Sequence, residues 1–307
     1  MKKLKTGVAY HSNRILKHIE EDMIDIVKHN MNTVVHMFTH NDWDRHLGVM
    51  KEVVNISESC GLEVWIDNWG LGGPPGDKSF FLQYSPESHV VWSDGSIDPV
   101  KSCYNSEAFI KFTKDWLDTV GSFGGKNIFW DEPSLGIREK NGKKTYACRC
   151  KVCQKLFEEK YGKPMPEELT PEVYEFRSQS IFNYFDRVTA YARSIGMSNS
   201  SCIEPHNVES AMGIINVNTL DNFGMDPYWH PEIAAKNYDA YGFVYKKTKD
   251  IVEKSIEMGK DNHVWIQTFD LPAGCETQIF QATDAAYDAG ARTILDWSFR
   301  GAESNTY

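Results

Sequence analysis

The sequence predicts an α/β fold, a closed (β/α)8 or TIM barrel, from three observations. Short β-type runs alternate eight times with longer amphipathic stretches along the 307 residues. No internal boundary interrupts this alternation, and one barrel can absorb a chain of this length. Neither a G-x-G-x-x-G motif nor a P-loop follows the first strand, which disfavours an open doubly wound sheet. We therefore expect a single barrel domain over residues 1–307.

The predicted strands are short apolar runs, each followed by residues at helical spacing. In chain order they cover residues 7–10, 33–38, 62–66, 127–130, 200–203, 220–225, 263–268 and 293–295. Ser106 is predicted as a helix N-cap with Glu107 in the first turn, and Asp42 and Asp77 are predicted as further N-caps.

Composition limits the partners and the compartment. A net charge of −10 and a pI near 5.5 argue against binding to nucleic acid or to an anionic membrane, since both require a basic patch. The chain contains no apolar run long enough to span a membrane, and its basic N-terminus lacks an apolar signal core. Seven cysteines, three of them clustered, fit a reducing compartment, so a cytoplasmic location is expected.

Polar and aromatic residues follow nearly every predicted strand, at the barrel end where chemistry takes place. Aromatic faces with carboxylates between them suit a sugar, whose C–H faces stack while its hydroxyls form hydrogen bonds. The predicted carbohydrate-binding residues are Tyr10, His11, His36, Asp67, Trp69, Glu204, His206, Tyr228, Trp229, Trp297 and Arg300.

Two carboxylates on opposite sides of a glycosidic bond are enough for its hydrolysis. Glu132, directly after the fourth strand, is the predicted acid, because an ionised Asp131 beside it would favour its protonated form. Asp270, after the seventh strand, is the predicted partner. In a retaining pair the two carboxyls would lie about 5–5.5 Å apart.

A cysteine run predicts a metal site in the loop that follows the fourth strand. Cys148, Cys150 and Cys153 form a C-x-C-x-x-C run, too closely spaced for ordinary core filling. Zn²⁺ is usually held by four ligands in a tetrahedron, and Cys103 is our candidate for the fourth. We therefore expect an inserted loop at residues 134–166, held by zinc beside the acidic pair.

Between residues 103 and 157 the chain resembles glycoside hydrolase family 42, the zinc-containing beta-galactosidases of the clan-A barrels. That family has a cysteine at the head of the third barrel helix, an Asn-Glu acid/base at the end of strand four, and C-x-C-x-x-C soon after. Here Cys103, Asp131-Glu132 and the cysteine run occur in that order with similar spacing. The segment from Trp297 also resembles the family's strand-eight region. The resemblance implies a structural zinc on four cysteines, Glu132 as acid/base, and a homo-oligomer, since relatives often form trimers.

The chain departs from the family pattern at three points. Asp131 replaces an Asn that helps to hold the substrate 2-hydroxyl, which puts the sugar preference in doubt. The clan's nucleophile is a Glu at the end of strand seven, where this chain has Asp270, one methylene shorter, with Glu276 six residues on as a substitute. Those beta-galactosidases are also longer and carry extra domains, so a reduced relative with a different substrate is expected.

Three alternatives stay open at this stage. In the first, Asp131 is a nucleophile and Asp226 the acid/base, an arrangement that resembles alpha-galactosidase-type barrels. The second is a metal-dependent sugar isomerase or lyase, similar to xylose isomerase, and the third is a non-catalytic carbohydrate-binding barrel. The metal ligands of the second would come from His11, His36, His40, Asp67, Glu204 and His206.

Overall fold

A computed structural model describes residues 4–11, 13–70, 79–140, 142–205, 212–229 and 238–303. Eight parallel strands form a closed barrel in which each strand pairs with the next along the chain and the last pairs with the first. Val8 of the first strand, for example, lies beside Val34 of the second and Asp296 of the last. The predicted (β/α)8 fold is therefore confirmed, with every predicted barrel strand overlapping an observed one.

Twelve strands and nine α-helices are described, together with 3-10 helices at Pro86–Ser88 and Met212–Asn216. The strands are β1 (Lys5–Tyr10), β2 (Thr33–Met37), β3 (Glu63–Asp67), β4 (His89–Val91), β5 (Ile97–Ser102), β6 (Asn127–Trp130), β7 (Ile137–Lys140), β8 (Lys143–Tyr146), β9 (Ser198–Ile203), β10 (Asn222–Met225), β11 (Asp261–Gln267) and β12 (Thr293–Trp297). The helices are α1 (Leu16–Lys28), α2 (His40–Ser59), α3 (Phe81–Tyr84), α4 (Glu107–Ser122), α5 (Lys151–Tyr161), α6 (Pro171–Ser194), α7 (Ala240–Glu257), α8 (Thr277–Asp288) and α9 (Phe299–Glu303).

Side-chain capping marks the start of several helices. Ser106 caps α4 by accepting a hydrogen bond from the Phe109 N–H, as predicted. Asp42 is not the N-cap of α2: Thr39 is, and Asp42 lies three residues further on, where its carboxylate accepts from the Thr39 N–H in a capping box. The other predicted N-cap, Asp77, lies outside the described residues.

Two antiparallel hairpins, β4–β5 and β7–β8, lie outside the barrel and contact each other. The Ser93 N–H donates to the Tyr146 carbonyl at 2.8 Å, and the Arg149 N–H donates to the Val91 carbonyl at 2.7 Å. The segment predicted as a cysteine loop at 134–166 thus contains a hairpin and α5. These strands are short and half-exposed, so their sequence carries little of the alternation that reveals the barrel strands.

Apolar residues form an inner and an outer layer. The inner layer fills the barrel with side chains such as Trp65, Phe129, Trp265 and Leu295, while the outer layer packs between strands and helices. These side chains make the barrel interior a packed core and not a pore. None of the described helices is both long and apolar enough to cross a membrane.

Candidate active site

The barrel strands direct alternate side chains inward and outward, and this alternation positions the acids. On β6, Phe129 lies in the inner layer and Trp130 packs outward. Asp131, two residues after Phe129, therefore points into the mouth. Asp67 follows the inward-facing Trp65 in the same way and is fully buried.

Asp131, Cys202 and Asp226 converge at the mouth from the ends of β6, β9 and β10. The thiol of Cys202 lies 3.5 Å from Asp131 Oδ1 and 3.4 Å from Asp226 Oδ2. The sulfur and one carboxylate oxygen from each acid all lie within 4.8 Å of one another. The side chain of Asn68 accepts a hydrogen bond from the Asp131 N–H at 3.4 Å, which helps to fix this residue.

Glu132 belongs to the same group of acids. Its backbone has a φ of +32°, outside the strand region, so its side chain turns back towards the mouth instead of continuing the alternation. Burial, followed by the charges of Asp131 and Asp226, raises the pKa of Glu132 to about 12. A hydrogen bond with Asp226 raises the pKa of Glu132 and opposes the rise at Asp226, so it favours the neutral form of Glu132.

The other acids of the mouth are also shifted towards their neutral forms. Burial raises the pKa of Asp131 to about 7, with a hydrogen bond from Cys202 acting in the opposite direction. Burial and then the charge of Asp131 raise the pKa values of both Asp67 and Asp226 well above their usual range. The charge of Asp131 is thus one cause of the raised pKa at each of the other three acids.

Asp270, the expected partner of Glu132, forms no hydrogen bond or ion pair with the other described residues. Strand β11 ends at Gln267, whose side-chain oxygen accepts from the Trp229 N–H at 3.1 Å and whose amide donates to the Phe269 carbonyl at 3.0 Å. Asp270 follows on an irregular segment and is exposed. The substitute nucleophile, Glu276, lies at the start of α8 and accepts a hydrogen bond from the Gly274 N–H.

Three predicted binding residues, His11, Trp69 and Trp297, form an aromatic group at the mouth. Their ring centroids lie 5.2 to 5.9 Å apart, and His11 is stacked on Trp297 with an interplanar angle of 20°. Trp69 and Trp297 pack against the inner layer, as does Tyr228, whose pKa is raised by its burial and then by Asp226. The charge of half-buried Glu204 also raises the pKa of Glu132.

Tyr10 and His36, predicted to bind substrate, instead face the helix layer, because Ala9 and Val35 occupy the inward positions of their strands. Tyr10 donates a hydrogen bond to Asp22 of α1. His36 is paired with the Ser57 hydroxyl of α2 at 2.8 Å, and burial lowers its pKa to about 3.

Two further predicted residues, Trp229 and Arg300, differ in their exposure. Trp229 is buried, and its indole N–H donates to Gln278 of α8 at 2.9 Å. Arg300 is exposed on α9. His206 lies outside the described residues.

The histidines proposed for a metal-dependent isomerase are not brought together. His36 faces α2, while His40 lies among Phe80, Trp43 and Phe112. His40 also accepts a hydrogen bond from the Phe80 N–H at 3.1 Å. Of the expected ligand set, only His11, Asp67 and Glu204 remain near the mouth among the described residues.

The four cysteines Cys103, Cys148, Cys150 and Cys153 form a buried cluster beside the mouth. Their sulfur atoms lie within 4.8 Å of one another, with Cys103 at 3.5 Å from Cys153 and 3.6 Å from Cys150. All seven cysteines of the chain are free. The Asn105 side chain donates to the sulfur of Cys153 at 3.4 Å. Cys103 follows β5, whereas Cys150 and Cys153 lie at the start of α5. The cluster therefore joins the β4–β5 hairpin to the segment that contains the β7–β8 hairpin and α5.

Arg177 of α6 holds the segment between Glu132 and the cysteines. Its buried guanidinium donates to the carbonyls of Ala147, Leu135 and Gly136. The last two carbonyls follow Glu132 closely in the chain, so Arg177 and the cysteine cluster fix this part of the mouth from behind.

Sequence reasoning missed Cys202 as a site residue. Its position was the available signal. Cys202 lies two residues before Glu204, so on a strand both side chains point to the same face, here into the barrel. The thiol itself gave no indication, since a free cysteine in a strand is usually a core residue.

No protein-family model and no curated protein matches this sequence. Solved structures match it at low identity. A beta-galactosidase from the psychrophilic Marinomonas ef1 has a TM-score of 0.72 and 12% identity, over 96% of this chain and 54% of that one. An endo-1,4-beta-mannanase from Rhizomucor miehei has a TM-score of 0.63 and 9% identity, over 96% and 86%. A GH36 alpha-galactosidase from Geobacillus stearothermophilus has a TM-score of 0.54 and 10% identity, over 97% and 39%.

These structural neighbours are glycoside hydrolases built on (β/α)8 barrels, and this chain spans about half the length of the beta-galactosidase. At such identities the likeness shows the fold alone. The chain therefore has the barrel that these glycosidases share.

Proposed function

We propose that this chain is a glycoside hydrolase in which Asp131 is the nucleophile and Asp226, with Glu132, supplies the acid proton. The observation that carries the proposal is the convergence of Asp131 and Asp226 on either side of the Cys202 thiol. At least one oxygen of Asp131 lies within 4.8 Å of an oxygen of Asp226, which is shorter than the roughly 6.5–9.5 Å separation of inverting glycosidases.

The pKa shifts of these acids support these roles. Asp131, with its pKa raised to about 7, can be a carboxylate near neutral pH, the form required to attack an anomeric carbon. Glu132 keeps its proton and donates a hydrogen bond to Asp226, so this pair holds a proton beside the nucleophile. In the first step Asp131 bonds to the sugar as the pair protonates the leaving oxygen. In the second, the deprotonated pair takes a proton from water, which displaces Asp131.

The aromatic group at the mouth supports a sugar as the substrate. His11, Trp69 and Trp297 present rings on the β1, β3 and β12 side, while the acids lie on the β6, β9 and β10 side. A sugar stacked on these rings would lie opposite the carboxyls, with its hydroxyls available for hydrogen bonds.

We also propose that the four clustered cysteines hold a structural zinc. Zn–S bonds of about 2.3 Å in a tetrahedron place the sulfurs about 3.8 Å apart, and the observed separations of 3.5 and 3.6 Å are close to this. The four thiols leave no open coordination position for a substrate. The zinc would fix the segment behind Glu132, and the free state of the cysteines supports a reducing, cytoplasmic location.

Aryl glycosides of several sugars, in both anomeric forms, test the proposal. We expect Asp131→Asn to lower kcat/KM by at least about 100-fold on the substrate that is cleaved. The loss for Asp226→Asn and Glu132→Gln should be greatest with poor leaving groups. Asp270→Asn is the matched control and should stay close to wild type. Loss of activity in Asp270→Asn with retention in Asp131→Asn would contradict the assignment.

Chemical rescue and metal dependence separate this function from its competitors. Azide should restore turnover of Asp131→Gly and give a glycosyl azide of inverted anomeric configuration, as expected for a missing nucleophile. Hydrolysis should be insensitive to EDTA, and a requirement for added Mn²⁺ or Mg²⁺ would contradict the two-carboxyl mechanism. Sugar binding without turnover of any substrate would indicate the non-catalytic barrel instead.

A further inference from the structure

A cavity of about 180 Å³ lies beside the aromatic group, on the side away from the catalytic acids. His11 and Trp69 form one wall, and Arg14, Asn41, Asp42 and His46 contribute to the rest. The start of α2 supplies the last three of these side chains. Because His11 and Trp69 belong to both the cavity and the aromatic group, the cavity continues the surface on which the sugar would stack.

The floor of this cavity is held in place by an ion pair. Arg14 Nε lies 2.9 Å from Asp42 Oδ1, and both side chains are almost fully buried. Arg14 also donates to the carbonyls of Asn13 and Met37, and Asp42 takes part in the capping box with Thr39. The charge of Arg14 is therefore neutralised, and its donors are engaged within the protein.

Two other polar side chains of the cavity form no hydrogen bonds with the described residues. Asn41 and His46 are half-buried, and neither side chain has a hydrogen-bond partner among the residues that the structure describes. They present an amide and an imidazole, which together offer donors and acceptors. Beside them Trp69 offers an aromatic face.

We propose that this cavity is a second sugar subsite, in which Asn41 and His46 bind the hydroxyls of a neutral ring that contacts Trp69. The inference rests on the proposed glycosidase function and deepens it, since it makes the natural substrate a disaccharide or longer oligosaccharide. The volume is smaller than the roughly 300–1,000 Å³ of pockets for drug-sized ligands, which suits one sugar ring. A neutral ring is favoured over an anionic group because Asp42 balances the charge of Arg14.

Kinetics on matched substrates test the subsite. For the sugar that is cleaved, the nitrophenyl monoglycoside is compared with nitrophenyl disaccharides that extend it. We expect Asn41→Ala and His46→Ala each to lower kcat/KM about tenfold on the preferred disaccharide and to leave the monoglycoside unchanged, since one or two hydrogen bonds to the second ring are lost. Arg45→Ala is the matched control, because Arg45 lies between them in α2 and is exposed. Equal losses on both substrates, or none, would overturn the subsite while leaving the glycosidase function intact.

Binding measurements test the subsite without requiring turnover. Titration calorimetry on Asp131→Asn should show that a disaccharide from a panel of α- and β-linked hexose and pentose pairs binds at least about tenfold more tightly than its monosaccharide. Adding Asn41→Ala to that protein should remove the difference. If every disaccharide binds no better than its monosaccharide, the subsite is excluded. If disaccharides bind but nothing is hydrolysed, the subsite stands and the proposed catalysis fails.

Discussion

The Sγ atom of Cys202 lies 3.5 Å from Oδ1 of Asp131, across the adjacent strands β6 and β9. The contact matters because the hydrogen bond from Cys202 opposes the rise in the pKa of Asp131. On the proposed mechanism, Cys202 is thus a positioning residue that keeps the nucleophile ionisable near neutral pH without touching the substrate.

Replacing this thiol should move the pH dependence of catalysis. In Cys202→Val the hydrogen bond to Asp131 is lost, so we expect the acidic limb of the kcat/KM profile to shift to higher pH. Cys202→Ser keeps a donor and should restore the wild-type limb. A Cys202→Val enzyme with reduced activity but an unchanged profile would show that the thiol only fills space.

The wild-type enzyme should itself gain activity as the pH rises through about 7. Burial raises the pKa of Asp131 to about 7, and only the carboxylate can attack. Activity should fall again at higher pH, when the pair formed by Glu132 and Asp226 loses its proton. The measurement is kcat/KM against pH with an aryl glycoside. A profile that declines across pH 6 to 8 would contradict an ionised Asp131 as the nucleophile.

The free energy of unfolding should fall as the pH rises, whereas the activity should increase. The pKa of Asp131 rises from its ordinary value of 3.8 to about 7 on folding, so between these values the folded state binds more protons than the unfolded state. The free energy of unfolding should therefore decrease as the pH rises from about 4 to 7. Urea unfolding of Asp131→Asn should show a flatter dependence, because the amide does not titrate. A wild-type protein that becomes more stable across this range, with no flattening in the variant, would contradict the buried acid.

The cysteine cluster should hold about one zinc per chain that resists mild chelation. Cys148→Ser is expected to lose the metal and to have a free energy of unfolding lower by several kcal/mol. The reason is that the zinc would join the β4–β5 hairpin to the segment that contains α5. Elemental analysis and thermal unfolding measure both effects. The control is Cys60→Ser, at the C-terminal end of α2 and outside the cluster. Unchanged metal content and stability in Cys148→Ser would rule out the four-cysteine site.

Removing Arg177 should loosen the segment behind Glu132. Arg177→Met leaves the carbonyls of Ala147, Leu135 and Gly136 without their donor, and we expect a loss of about 2–4 kcal/mol in the free energy of unfolding. Arg187→Met is the control, since that arginine forms an exposed pair with Glu107 and should contribute less than about 1 kcal/mol. The free energies of unfolding of both variants are measured with a denaturant. Equal losses would show that burial does not make the Arg177 contacts contribute more to stability than the exposed pair.

The sequence determined the barrel and the identity of most acids at its mouth. Each strand is a local pattern of apolar residues, and the parallel fold places the strand ends on one face, so Asp67, Asp131 and Asp226 were expected there. The spacing of the cysteine run similarly identified three members of the cluster, and Cys103 was the candidate for the fourth.

Only the tertiary structure decided which of these groups meet. Barrel closure places β6, β9 and β10 side by side, so that Cys202 lies between two acids distant in sequence. It also ends β11 at Gln267, which leaves Asp270 exposed, and it turns Tyr10 and His36 outward. A shift of one residue in register exchanges the two faces of a strand, and apolar side chains occupy both faces here. The physical reason is therefore that composition places a polar residue at a strand end, whereas register and closure decide which way it points.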